Sequence, residues 1–318
     1  MLPYIIRRIL LSLLMVLCVG TIIFFPIHLV PGDPVDVILS GGGSGGSTQE
    51  QREALRHTLG LDQPIYQQYW RWITHMMQGD FGVSPIKGRK VIGDILNQFP
   101  QTIELILGSL IIAVLIGVPG GIIAAIRSNS KYDLPLTTLS LLGLSIPNFV
   151  VGTMLILLFG LYLQWMPLTG YISLWEHPWR HLQLLFFPCF SLGLAFGAVV
   201  LRMTRSSMLD VLGQDYIRTA RAKGLTEFLV NYQQALRNAL IPVVTLTGLQ
   251  MGALLGGTVV VEYVFNWPGL STLLIQGVWQ RDYPMVQGVV MLISACSIFI
   301  NLAVDIINAW LDPRITYK

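Results

Sequence analysis

The sequence predicts an all-α polytopic membrane protein with six transmembrane helices. Its mean hydropathy is +0.63 and 53% of its 318 residues are hydrophobic. Only 12% are charged, against about 25% in a soluble domain. Runs approaching or exceeding the roughly 20 apolar residues that a helix needs to cross a bilayer recur at 9–30, 102–126, 134–163, 182–203, 242–264 and 285–309.

The first span opens with MLPYIIRRILLSLL, which has the basic start of a signal peptide. The apolar run that follows is longer than an h-region and lacks an A-x-A cleavage site, so residues 1–30 are expected to stay as a transmembrane helix. Residues 31–100 form an insert. It begins with Pro31-Gly32-Asp33-Pro34, a turn that cannot continue a helix, and GGGSGGS at 41–47 is a flexible linker. A short polar helix is expected at 49–59. An amphipathic one is expected at 64–78, where Ile65, Tyr69, Trp72, Ile73 and Met76 recur at helical spacing. Tyr66, Trp70 and Trp72 suit a membrane–water interface. Residues 79–89 read as loop, and 91–99 as a short helix leading into span two.

Span three is long enough to be tilted or broken, and Pro147 marks the expected break. Trp165, Trp175 and Trp179 form an interfacial belt after it. Asn266-Trp267-Pro268-Gly269 and Arg281-Asp282-Tyr283-Pro284 bracket a short helix at 270–280. Cys18, Cys189 and Cys296 each lie inside an apolar run, which argues for inert buried thiols over a disulfide framework.

Charge sets the expected orientation. Arg7, Arg8, Arg127, Lys131, Arg202, Arg205, Arg218, Arg221, Lys223, Arg237, Arg314 and Lys318 lie on one side of six spans, and the opposite short loops hold only Arg180 and Arg281. By the positive-inside rule both termini are cytoplasmic, and the 31–100 insert is external. The net charge of +3 sits beside membrane spans and does not point to nucleic acid.

The polar, basic stretch 214–242 between spans four and five reads as two helices. At 215–223, Asp215 is placed to cap or charge the first turn, Lys223 lies in the last, and Gly224 follows as a left-handed stop. A second helix at 226–239 leads back to the membrane, with Pro242 in the first turn of the next span. Tyr216, Thr219, Ala220 and Lys223 share one face of the first helix, suited to close docking on another protein. The alternative is a basic loop that only orients the chain.

Arg218-Thr219-Ala220, three intervening residues, Gly224 and then Leu240-Ile241-Pro242 resemble the cytoplasmic EAA…G…LP loop of bacterial ABC-importer permeases. Arg218 stands where the general pattern has Glu, and RTARAKG is similar to the version in the peptide and nickel branch. Pro31-Gly32-Asp33-Pro34, Gly60-Leu61-Asp62-Gln63-Pro64, Gly79-Asp80-Phe81-Gly82, the two bracketing tetrapeptides and Asp312-Pro313-Arg314-Ile315 resemble the first permease of peptide-type importers. The resemblance implies a type I ABC importer permease fold with the insert after the first helix. Its core would be 101–312, including a cytoplasmic coupling loop at 205–241, and its tail 313–318. It also implies a second permease, two ATP-binding subunits that carry ATP and Mg, and an extracytoplasmic solute-binding protein. Asp215, Tyr216, Arg218, Thr219, Ala220, Lys223 and Gly224 would couple to the ATPases. The cargo would be di- or oligopeptides, including glutathione, with nickel or a metal chelate as the alternative.

No enzyme site emerges. G-x-x-x-x-G-K-[ST], H-E-x-x-H and G-x-S-x-G are absent, so this chain is expected to be no ATPase and to hold no cofactor itself. His177 and His181 form an i, i+4 pair without carboxylate or thiolate support, which reads better as polar surface than as metal site. A secondary transporter would show inverted repeats and intramembrane charge pairs, and neither is seen. The informative span is the fifth, with Thr245, Thr247, Gly248, Gln250, Gly252, Gly256, Gly257 and Thr258. Its glycines recur every fourth residue, which fits tight helix packing, a passage lining, or each at a different depth. Ser145 and Asn148 flank the expected break and are candidate lining as well. Glu104, Glu262 and Asp305 are expected near span ends, where each can snorkel or pair.

Overall fold

The structure is a computed structural model that describes residues 2–29, 35, 49–59, 62–165 and 169–311. The expected turn at 31–34, linker at 41–47 and tail at 313–318 lie outside them. Among the described residues are helices α1 (Leu2–Leu29), α2 (Gln49–Leu59), α3 (Ile65–Met77), α4 (Val91–Ile126), α5 (Asp133–Ser145) and α6 (Asn148–Tyr162). They continue with α7 (Pro178–Leu212), α8 (Asp215–Ala222), α9 (Glu227–Val264), α10 (Leu270–Trp279) and α11 (Tyr283–Leu311). Five of these are long and apolar enough to cross a membrane: α1, α4, α7, α9 and α11. The sixth span is the pair α5 and α6, bent by 99° at the break.

Two compact units divide the chain. The first comprises Met1–Pro100 and Gly269–Leu302. Here α3 lies on α1. Gly20 lets Trp72 and Ile73 come within 3.6 Å of where its Cβ would stand. The Tyr69 hydroxyl is 2.8 Å from Thr21 Oγ1, and Phe24 is ringed by Phe25, Tyr69 and Trp72. Ile73 and Met76 are buried as the helical spacing predicts, but Ile65 is exposed. The loop after α3 turns at Gly79 and Gly82, both at positive φ, and Gly82 donates its N–H to Asp80 Oδ1. Buried Asp94 then holds Lys87 at 3.2 Å and Arg89 at 2.7 Å, and the Ser84 hydroxyl donates to Asp282. Val91, Ile95, Leu270, Leu273, Met285 and Val289 form the core beside these contacts.

The second unit comprises Gln101–Pro268 and Ala303–Thr316. Its frame is the contact between α4 and α7. A Cβ at Gly117 would stand 2.8 Å from Gly197 O, and one at Gly121 2.7 Å from Leu201 O. From the other side, a Cβ at Gly193 would stand 2.8 Å from Ser109 O. Each of these glycines brings one helix onto the other's backbone, as small residues do where lipid supplies no hydrophobic drive for association. α5 approaches α7 at Gly143 and Ala198, and α6 approaches at Gly152, beside Phe265 and Ser191.

At one end of this frame Leu105, Leu184, Phe187, Leu192, Val261 and Phe265 close around Trp267, which is fully buried and donates its indole N–H to Gln101 O at 3.0 Å. Buried Glu262 accepts from Thr102 Oγ1 at 2.9 Å, and His181 Nε2 is 3.7 Å from Glu104. Of the acidic groups expected near span ends, Glu262 is thus hydrogen-bonded within the protein and Glu104 lies beside a buried histidine.

Two expected boundaries are corrected. The helix at 91–99 does not stop before span two but runs through Pro100 and Pro119 to Ile126. The helix at 226–239 likewise runs on through Pro242 as α9, with a π-helical stretch at Val230–Ala235. Such a proline loses one backbone hydrogen bond, and the packed helix on either side outweighs that loss. Pro147 does break its span: Ile146 (φ −93°, ψ 123°) and Pro147 (φ −58°, ψ 139°) are both extended. A residue before proline is biased this way. Here the halves on either side are attached to α7 separately, so the bend is held open.

A Gly117→Val variant should cost about 1–3 kcal/mol, because its side chain overlaps Val200 and the Gly197 carbonyl. The loss is read as a lower thermal midpoint of the purified protein in detergent, beside wild type.

Candidate functional site

The polar stretch after α7 folds as a knuckle around α8. Gln214, extended at ψ 150°, starts the helix, so Asp215 is not the cap but a first-turn charge. Lys223 ends it, and Gly224 follows at φ +79°. Gly224 N–H donates to Arg221 O and Leu225 N–H to Ala220 O, which is the Schellman pattern. Nothing stands within 4 Å of a Cβ built on Gly224, so its positive φ, not crowding, demands glycine there.

Ile217 and Ala220 turn inward. They pack with Met208, Val230, Ala235, Ala239 and Ala125. The expected docking face is corrected at this point: Ala220 belongs to the knuckle's own core and is 9% exposed, whereas Tyr216, Thr219 and Lys223 are exposed. Four-residue spacing placed Ala220 beside Tyr216 and Thr219, but it could not show that α9 folds back over that edge. Asp215, Arg218 and Arg221 are exposed too. Arg218 reaches Asp215 at 3.5 Å, and Arg221 pairs with Glu227 at 2.9 Å. Asn238 Nδ2 donates to the Tyr216 hydroxyl at 2.8 Å and ties α9 to α8.

The glycines of α9 fall into two groups. A Cβ on Gly248 would lie 2.6 Å from Val304 Cγ2, so this turn is packed, and Gly252 is buried. Gly256 and Gly257 are exposed, with nothing within 4 Å of either added Cβ. The face is thus packed at one depth and open at another. Gln250 and Thr245 are half-buried, and the Thr245 hydroxyl donates to Ile241 O at 3.1 Å. Ser145 donates to Leu141 O and is exposed, and Asn148 is half-buried at the start of α6.

The two histidines keep their one-turn spacing, with His181 N–H bonded to His177 O at 2.9 Å, but differ in burial. His181 is buried, with Nδ1 2.8 Å from Ile172 O, and His177 is exposed just before α7. Beside His181, burial pushes the Tyr171 phenol pKa up and the Glu104 carboxylate adds to the shift. Among the described residues no three His, Cys, Asp or Glu side chains come together as metal ligands.

Sequence reasoning missed Asp133 and its bidentate partner Arg205, with contacts of 2.7 and 2.8 Å. An acid at the mouth of a span, beside basic loops, was the available signal. It also missed Trp267 as a core anchor, since the Asn266-Trp267-Pro268-Gly269 stretch read only as a bracket to a short helix.

Residues 117–317 match the family model described as "Binding-protein-dependent transport system inner membrane component", and residues 1–106 match the model of the N-terminal part of such components. The chain belongs to this family. It is an ABC importer permease, a membrane-spanning subunit of several helices. The glutathione transport system permease protein GsiC of Salmonella paratyphi A is 46% identical over 319 residues, covering 100% of both chains. Its namesake in Escherichia coli K12 is 44% identical over the same full length. Two crystal forms of the MetNI methionine ABC transporter in inward-facing conformations align with TM-scores of 0.57 and 0.56 at 16% and 18% identity. Each covers 69% of this chain and 96% of the other. At that identity the likeness is one of fold, and the expected permease fold is the one observed.

Gly256→Leu should leave this permease's stability within about 0.5 kcal/mol of wild type, since the added side chain enters open space. Gly248→Leu should lower it, through overlap with Val304. Uptake by the assembled transporter should fall in both. Normal uptake by Gly256→Leu would mean that the open turn faces lipid.

Proposed function

We propose that this chain forms, with a second permease, the passage of an ATP-driven importer for glutathione or other short peptides. The observation that carries this reading is full-length similarity to the GsiC permeases, insert included. A solute-binding protein delivers the cargo from outside. Two ATP-binding subunits, which hold the ATP and Mg, dock on the exposed side of α8. Asp215, Tyr216, Arg218, Thr219 and Lys223 present that side, and Ala220 and Gly224 shape it from within. The open turn of α9 at Gly256, with Gln250, Ser145 and Asn148, lines the passage, while Gly248 and Gly252 hold the helix in place.

The geometry suits this division of labour. A docking helix must transmit force, so its inward side has to be packed and its outward side free. α8 has both. The charge distribution supports an orientation in the bacterial inner membrane with α8 and both termini on the cytoplasmic side.

Two measurements test the proposal. A cysteine at exposed Trp175 should label with an impermeant thiol reagent in intact cells, and one at Thr226 should label only after permeabilisation. Labelling of Thr226→Cys from outside would remove α8 from the side where ATP is. The complete complex in proteoliposomes should then accumulate labelled glutathione or tripeptides on ATP addition. Accumulation of Ni²⁺ without peptide would overturn the cargo.

A further inference from the structure

The knuckle around α8 is largely self-contained. Among the described residues its core side chains come from 208–239, with a single contribution from elsewhere, Ala125 at the end of α4. Apolar contact alone therefore gives it little purchase on the membrane helices other than α7 and α9, from which it grows. One polar contact extends that purchase. Arg205 lies one turn before Met208 on α7, and its guanidinium grips Asp133 through Nε at 2.7 Å and Nη2 at 2.8 Å.

Asp133 is the first residue of α5 and is 5% exposed. Its carboxylate also accepts from Asn129 N–H at 2.9 Å and from Thr137 Oγ1 at 3.1 Å. The connector between α4 and α5 is thereby drawn closed around it. Asn129 turns at φ +60°, Asp133 N–H and Leu134 N–H both donate to Ser130 O, and the Arg127 guanidinium lies 4.5 Å from the centre of the Tyr132 ring. A bidentate pair fixes direction as well as distance, which a point contact does not. The other end of α5 is the extended break at Ile146–Pro147.

We propose that Arg205 and Asp133 are positioning residues for coupling: a strut that gears the docking knuckle to α5, so that movement of α8 turns the half-span leading to the break and does not merely flex the loop. The proposal rests on the reading of α8 as the ATPase-docking helix. It adds two residues outside the set proposed to meet the ATPases or line the passage.

The experiment uses the complete complex, with both permeases and both ATPases, and Cys18 and Cys296 of this chain replaced by Ala. Leu144→Cys, at the end of α5, reports accessibility to an impermeant maleimide. In the complex with native Arg205 and Asp133, ATP, Mg²⁺ and vanadate should change its labelling rate several-fold. Arg205→Met strands a buried carboxylate and will lower stability in any case. The deciding variant is therefore Asp133→Leu/Arg205→Met, in which both charges go and packing can recover. The strut predicts that this double variant retains the ATPases and hydrolyses ATP, yet its labelling rate at Leu144 no longer responds to nucleotide. Arg205→Lys, which keeps the charge but loses the fork, should retain part of the response. A full nucleotide response in the double variant, or none in the complex with the native pair, overturns the strut. The docking reading fails separately, by a different readout: a Thr219→Arg complex that holds its ATPases as tightly as wild type.

Discussion

Helices α4 and α7 touch backbone to backbone, and the second unit depends on that contact. In water, burying leucine would drive two such helices together. In lipid the tails are as apolar as leucine, so association must come from close packing and hydrogen bonds. Gly117, Gly121 and Gly193 remove the side chains that would hold the two axes apart. With α4 and α7 locked, α7 becomes the support on which α5 and α6 rest separately, at Gly143 and Gly152. The same helix carries the knuckle at its far end, so whatever bears on α8 acts first on the most tightly held helix of the unit.

The broken span follows from this. Proline occurs inside α4, α7 and α9 without ending them. Phe99, Val118, Phe187 and Ile241 precede those prolines and remain helical, while Ile146 before Pro147 is extended. Local preference is much the same at each site. Attachment differs. A helix packed along its length on one neighbour can absorb the loss of one hydrogen bond, but two halves gripped at different places settle where each fits. The backbone groups released at the break can persist at membrane depth only against protein or a watery cavity.

The knuckle around α8 shows how far residue spacing reaches. Charge, helix length, the left-handed stop at Gly224 and the basic character of the stretch were all legible, because each depends on a few neighbouring residues. The direction in which Ala220 points was not. Alanine suits an exposed contact and a tight core equally well, and only the path of α9 past Val230, Ala235 and Ala239 puts it inside. The Asn238–Tyr216 bond and the Arg205–Asp133 pair were hidden for a related reason, since their partners lie 22 and 72 positions apart and chain order alone says nothing of their distance in space.

By itself the sequence determined the membrane class, the number and order of apolar runs, the place of the break and the family. Hydropathy, proline chemistry and short motifs are local properties that a linear chain displays in full. Tertiary structure decided that the other prolines are absorbed and that the break bends the chain by 99°, which glycines of α9 pack and which stay open, and which side of α8 is free. Each of those depends on what lies across the gap from a residue. A glycine against Val304 and a glycine facing open space read alike along the chain, and the difference between them exists only once the helices have been laid against each other.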